Sequence, residues 1–322
     1  MGGQGRGKSN RKGIRDKGGA NMSIIDVNGT RLHVHVKGSG IPIVFIHPPL
    51  LGQSVFAYQK EQLPDMFKVI LFDIRGHGKS APSEAPITYP LIAEDTVRLL
   101  DELGVEKAFI AGYSSGGSVA LEAMLRYPSR FYGGILISTM SEVSDWQLKS
   151  RIYMGTKLAA WDAKKLLSWV IARGNADRSA SFANMYNYAV QDHMVNAMQY
   201  FRYSMRYSCT SRLHEIRHPM LLLYGEDDRR FRRYAEIIHR GLPRSTLLYM
   251  KGTPHQIPTK AASRMNGLIQ CWITDKLANE QPFEELKEKV REDDSAEFAA
   301  VCFDNENDAG ALLPDRDEGR LH

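Results

Sequence analysis

Residues 108–117 read Ala108-Phe109-Ile110-Ala111-Gly112-Tyr113-Ser114-Ser115-Gly116-Gly117, and a stretch with helical spacing, Ser118 to Leu125, follows. A short apolar run, ended by small residues and followed by a helical pattern, reads as strand, tight turn and helix. Within it lies G-x-S-x-G. A serine hydroxyl attacks well when a sharp strand-to-helix turn presents it at the tip. The residues two positions away must then be tiny, because side chains there would clash across the turn. Gly112 and Gly116 meet that need. The N-terminal amides of the helix lie beneath the oxygen where negative charge develops. Ser114 is the candidate nucleophile, and Ser115 is a poorer one because its upstream partner is Tyr113.

Similar apolar runs recur at Ile43–Ile46, Val69–Phe72, Gly134–Ile137, Met220–Tyr224 and Thr246–Met250. Continuous runs of this kind mark strands covered on both faces. Helical stretches separate most of them, among them Leu91 to Leu103, with Gly104 as its stop, and Arg232 to Leu242. Alternation of this sort predicts an α/β fold with a doubly wound, mostly parallel sheet. At its start, Ser23–Val27 and Arg31–Lys37 flank Asn28-Gly29, a strong hairpin signal. In the second run Leu32, Val34 and Val36 alternate with His33, His35 and Lys37. That period of two predicts a half-buried antiparallel strand with His33 and His35 toward solvent. From Ser138 to Leu213 no strand-like run occurs, while Trp, Tyr and Met are dense. Residues 139–212 are therefore expected to be an inserted helical cap between two parts of the core, 23–138 and 213–279. Some of its aromatic side chains are expected to line an apolar pocket.

The 322 residues, 43% hydrophobic and 25% charged, suffice for a large core without disulfide or metal staples. Mean hydropathy is −0.35, and no apolar run of about 18 residues occurs, so no membrane span is expected. The net charge of +5 is uneven. Residues 1–22 carry six bases and one acid, and residues 280–322 carry fourteen acids and five bases. The former reads as a basic disordered leader without the apolar segment of a secretory signal. The latter reads as an acidic, largely disordered tail, helical at most over Phe283 to Val290. No basic helix or aromatic–basic motif accompanies the pI of 9.0, so nucleic acid is not an expected partner, and neither is a membrane. Cys209, Cys271 and Cys302 are widely spaced with no C-x-x-C. That pattern argues against a disulfide framework and for a reducing, cytoplasmic setting.

Near neutral pH a serine needs a base, and the base needs an orienting group. Gly225-Glu226-Asp227-Asp228 ends one strand, and Pro254-His255 follows the next. In doubly wound sheets ligands bind beyond the carboxyl ends of the strands, where Ser114, Asp228 and His255 all fall. His214-Glu215-Ile216-Arg217-His218 matches the zinc-protease pattern H-E-x-x-H, which requires both histidines on one helix face. Pro219 pushes the residue before it out of helical geometry, so no metal is expected there, and no cofactor elsewhere.

From about Ser23 to Leu277 the sequence resembles α/β-hydrolase-fold proteins of the capped serine esterase and lactonase type. The resemblance rests on Phe45-Ile46-His47, Asp73-Ile74-Arg75-Gly76-His77-Gly78-Lys79-Ser80, Gly112 to Gly117, Gly225 to Asp228 and Pro254-His255. It implies Ser114 as nucleophile, His255 as general base and Asp228 as its orienting acid, with Asp227 as the alternative acid. It also implies two oxyanion donors. One is the amide of Ser115. The other belongs to the loop after the first parallel strand, here His47-Pro48-Pro49-Leu50-Leu51-Gly52. Pro49 takes the donor's place in the family register and has no N–H. Leu50 is then the expected donor through a shifted loop, with the Gln53 or Ser54 side chains as alternatives. His47, Tyr113, Trp146 and Trp161 are the candidate substrate-binding residues. For His47, bracing the loop by a backbone hydrogen bond is the competing role. Asp73, Arg75 and His77 are read as fixing a turn. The function these residues suggest is cleavage of a small hydrophobic ester or lactone. The alternatives are carbon–carbon bond hydrolysis or a ligand-binding receptor with slow or no turnover.

Overall fold

The computed structural model describes residues 13–15, 21–161 and 163–279. The apolar runs form one sheet. Its strands are β1 (Gly13–Arg15), β2 (Asn21–Val27), β3 (Thr30–Lys37), β4 (Ile41–Ile46), β5 (Phe67–Phe72), β6 (Ala108–Tyr113), β7 (Phe131–Ile137), β8 (Met220–Gly225) and β9 (Ser245–Met250). Their order is β1-β2-β3-β5-β4-β6-β7-β8-β9. From β5 to β9 all pairs are parallel, and from β1 to β5 the neighbours are antiparallel. Asn28 and Gly29 turn the β2–β3 hairpin with positive φ at both positions, 49° and 71°. Gly13–Arg15, Asn21 and Met22, expected in the disordered leader, are strand instead. The rest of that leader and the acidic tail from Glu280 lie outside the described residues.

Alternate strand residues serve two cores. Val44, Ile46, Ile70, Ile110 and Leu222 face one side, and Ile43, Phe45, Val69, Phe109 and Leu221 face the other. The helices are α1 (Ala57–Gln62), α2 (Tyr89–Glu102), α3 (Ser115–Arg126), α4 (Trp146–Ala160), α5 (Lys164–Asn175), α6 (Ser179–Ala189), α7 (Met194–Arg206), α8 (Arg229–Gly241), α9 (Ile257–Lys260) and α10 (Ala262–Asn279). α2, α3 and α8 cover the first face, and α10 covers the second. Helices α4 to α7 form the insert between β7 and β8. The Thr88 hydroxyl caps α2 by accepting the Leu91 N–H, and Gly104, at φ 65°, follows its end. No described helix is long and apolar enough to cross a membrane.

Two expectations are corrected here. His33 and His35 are each only 5% exposed. β3 is an inner strand, lying between β2 and β5, and the segment after β4 covers its second face: Gln53 Nε2 lies 2.8 Å from His33 Nδ1, and Lys60 and Glu61 of α1 lie near enough to His35 to shift its titration. The His33 ring lies 2.8 Å from Asp73 Oδ2. Cys209 is a buried free thiol, whereas Cys271 is disulfide-bonded.

Asp73, Arg75 and His77 are consumed within the fold. Arg75 forms two hydrogen bonds to the buried Asp95 carboxylate. His77 is fully buried. Burial, and then the neighbouring His47, pushes its pKa down to about 3. Burial, and then Lys60, pushes that of His35 down to about 4. Both rings are therefore neutral in the native chain, whereas in the unfolded chain they take up protons near pH 6.5. Below that pH the unfolded state binds more protons, so stability falls as the medium is acidified from 6.5 toward 4. Urea unfolding at pH 7.5 and pH 5.0 is expected to show a loss of about 2 kcal/mol or more at the lower pH.

Candidate active site

β4 is the point where the sheet order reverses, with β5 on one side and β6 on the other. Crevices at such switch points are where open α/β sheets bind ligands. Two segments meet there: the loop after β4 and the turn after β6.

The turn is as crowded as its sequence requires. A β-carbon on Gly112 would lie 2.5 Å from the Gly116 carbonyl oxygen, and one on Gly116 would lie 2.2 Å from that of Ile46. Backbone packed this closely leaves Ser114 at φ 53°, ψ −122°, a region a side chain rarely occupies. The Ser114 N–H donates to the Ile137 carbonyl at 2.8 Å, holding the turn to β7. α3 begins at Ser115, so the Ser115 N–H has no acceptor within its own helix.

The structure brings three of the expected residues together. His255 Nε2 lies 3.2 Å from Ser114 Oγ, and His255 Nδ1 lies 2.6 Å from Asp228 Oδ2. Each comes from the carboxyl end of a different strand, β6, β8 and β9. The Ser138 hydroxyl donates to the His255 carbonyl, and the Phe231 ring packs 4.3 Å from the imidazole. Asp227 is exposed, and its N–H donates to the Thr253 carbonyl; the carboxylate on the imidazole is that of Asp228.

Ser114, Ser115 and His255 open into a cavity of about 180 Å³. Pro48, Pro49 and Leu51 form one wall, and the insert supplies Leu148 and Ile152 from α4, Ile171 and Asn175 from α5, and Phe201 and Ser204 from α7. Tyr113 lines it, with its hydroxyl donating to Asn175 Oδ1 at 2.9 Å. The insert residues were not singled out in the sequence. Leu148 and Ile152 carried a signal, apolar spacing of four on a helix, but nothing in the sequence says which face of α4 meets the core.

Several other expected site residues are placed elsewhere. Trp146 is 74% exposed and Trp161 71% exposed, and neither lines the cavity: the buried face of α4 carries Leu148 and Ile152, half a turn away. His47 is fully buried and braces the loop, its Nδ1–H donating to the Pro48 carbonyl and its Nε2 accepting the Ile74 N–H at 2.8 Å. Leu50 is a poor oxyanion donor. It does not line the cavity: at φ 64° its backbone lies by the Asp192 carboxylate, and its side chain sinks among Leu167, Met194 and Ala197 of the insert. Asp192 is fully buried, and burial, its largest influence, raises its pKa well above the usual carboxylate range. It also accepts the Gly78 N–H at 2.7 Å. The alternative donors are engaged too. Gln53 Nε2 contacts His33, and the Ser54 hydroxyl donates to the Leu51 carbonyl. The H-E-x-x-H segment runs through a 3₁₀ turn, Thr210–Glu215, into β8, with His218 Nε2 at 2.8 Å from the Pro128 carbonyl. No one helix face carries both histidines.

Residues 42–166 match a family model described as the alpha/beta hydrolase fold. The human serine hydrolase BPHL is 27% identical over 258 residues, which is 77% of this chain and 85% of that protein. The solved structure of the esterase EaEST from Exiguobacterium antarcticum aligns with a TM-score of 0.71 at 20% identity, covering 78% of this chain and 98% of the esterase. The enol-lactonase from Burkholderia xenovorans LB400 aligns with a TM-score of 0.70 at 18% identity, over 77% and 98% of the two chains.

His47 yields a direct check. Because Ile74 donates to Nε2, the proton sits on Nδ1, and burial lowers the pKa of the ring. Long-range ¹H–¹⁵N spectra are expected to show a neutral Nδ1–H tautomer at pH 7 that does not titrate near 6.5.

Proposed function

Because this chain belongs to the α/β-hydrolase fold superfamily, we propose that it is a serine hydrolase that opens a small, hydrophobic carboxylic ester or lactone through an acyl-enzyme. The observation that carries the proposal is the relay at the cavity floor: hydroxyl to imidazole at 3.2 Å, imidazole to carboxylate at 2.6 Å. In this reading Ser114 Oγ attacks the carbonyl carbon while His255 Nε2 takes its proton. Asp228 holds the ring and offsets the charge of the imidazolium. His255 then passes the proton to the leaving alcohol, or, in a lactone, to the alcohol that stays tethered to the acyl group. Water, deprotonated by the same nitrogen, next attacks the acyl carbon and frees Ser114. The Ser115 N–H is the proposed donor to the oxyanion. The apolar walls and modest volume of the cavity favour a short acyl group. Kinship with a serine hydrolase and the fold shared with an esterase and a lactonase support the same class.

The loop after β4 also favours a second reading. Pro48 and Pro49 bring no N–H to the cavity wall, and Leu50 is not among the residues that line it. Loss of one oxyanion donor lowers turnover by about 10²–10³. A ligand receptor that acylates slowly or not at all has the same geometry.

One set of measurements separates them. On the hydrolase reading a fluorophosphonate labels Ser114, and p-nitrophenyl esters of short acids are turned over many times. Ser114→Ala abolishes both, and Asp228→Asn lowers kcat by about 10⁴ with little change in KM. A single burst of p-nitrophenol followed by no further release selects the receptor. Absence of label on Ser114 rejects both acyl-enzyme schemes.

A further inference from the structure

Helix α4 is apolar on two opposite faces, and only one is covered. Leu148 and Ile152 face the cavity at Ser114. On the other side Trp146, Tyr153 and Met154 are 74%, 51% and 55% exposed, and Trp161, at the end of the helix, is 71% exposed. At 100° per residue these four fall within an arc of about 100°. The neighbouring α5 repeats the pattern: Leu166, Trp169 and Val170, spaced i, i+3 and i+4, are each about half exposed. Isolated exposed apolar side chains are ordinary, but seven on two adjoining helices mark an interaction surface.

The charges on these helices are one-sided. Residues 146–175 contain six bases, Lys149, Arg151, Lys157, Lys164, Lys165 and Arg173, and a single acid, Asp162. The bases alternate with the aromatic residues along the helices. Lys157 Nζ lies 5.3 Å from the centre of the Tyr153 ring. Lysine is depleted in the core of a protein–protein interface. Amphipathic rings interleaved with Lys and Arg suit the water–lipid boundary, where the rings enter at headgroup level and the cations meet phosphate.

We propose that α4 and α5 dock this protein onto an anionic lipid surface. Trp146, Tyr153, Trp161 and Trp169 enter the headgroup layer, and Lys149, Lys157 and Lys165 pair with lipid phosphates. This revises the expectation that no membrane takes part. The opposite face of α4 lines the cavity, so docking sets that cavity one helix diameter from the lipid. The inference does not rest on the chemistry proposed for Ser114.

The test is flotation of the full-length protein with phosphatidylcholine vesicles, with and without phosphatidylserine, at low and high salt. Binding is expected to vesicles containing phosphatidylserine, to weaken at high salt, and to be accompanied by a blue shift of tryptophan emission. The double variants W146A/W161A and K149E/K157E are each expected to bind at least about tenfold more weakly while keeping the wild-type urea midpoint, because the altered side chains lie largely at the surface. Ser114→Ala is expected to bind like the wild type, which keeps a failure of the hydrolase reading distinct from a failure of this one. The proposal is overturned if phosphatidylserine vesicles are not bound, or if both double variants bind as well as the wild type. It is equally overturned if the face instead proves to join copies of the chain, with self-association lost in the variants and no vesicle binding.

Discussion

The backbone of β4 and the first turn of α3 touch, with no room between Gly116 and the Ile46 carbonyl for even a methyl group. Much of the site geometry depends on that contact. It brings the turn after β6 against the loop after β4 and forces Ser114 into a strained conformation. The chain supports the strain from several directions: β7 receives the Ser114 N–H, α3 follows without a break, and two buried cores clamp the sheet between helix layers. A conformation costing on the order of 1–3 kcal/mol persists when its surroundings leave no alternative.

Much of this was legible in the sequence for physical reasons. Strands buried on both faces must be continuously apolar, so β4 to β9 stood out. A turn that excludes side chains must have glycine at fixed offsets, so Ser114 could be named. Asp228 and His255 followed because strand ends in a doubly wound sheet share one rim. His33 and His35 misled because alternation reports half-burial only where the second face of a strand is open to water, and here Gln53 and helix α1 close it. The insert was harder still. Tryptophan density suggests a pocket, yet a helix with apolar residues on both faces does not declare which face turns inward. Trp146 and Trp161 lie outward, while the smaller Leu148 and Ile152 line the cavity.

The loop after β4 departs furthest from its expected role. Pro48 and Pro49 remove two amide hydrogens beside the proposed nucleophile, and the next residue, Leu50, does not line the cavity. In exchange the loop is unusually well held. His47 bridges Pro48 and Ile74, and the Tyr200 hydroxyl donates to the His47 carbonyl at 3.1 Å. Rigidity of this kind suits a site in which shape, more than hydrogen bonding, selects what enters.

Leu50 has a wider consequence. Its side chain is a plug seated in the small apolar core of the insert, while its backbone forms part of the loop after β4. The insert is therefore no detachable lid. Any remodelling that enlarges it for a bulkier guest displaces the plug and, through one residue, tugs on the rim that carries Ser114. In this molecule the size of the guest and the set of the loop beside Ser114 are mechanically geared together, and neither is free to drift alone.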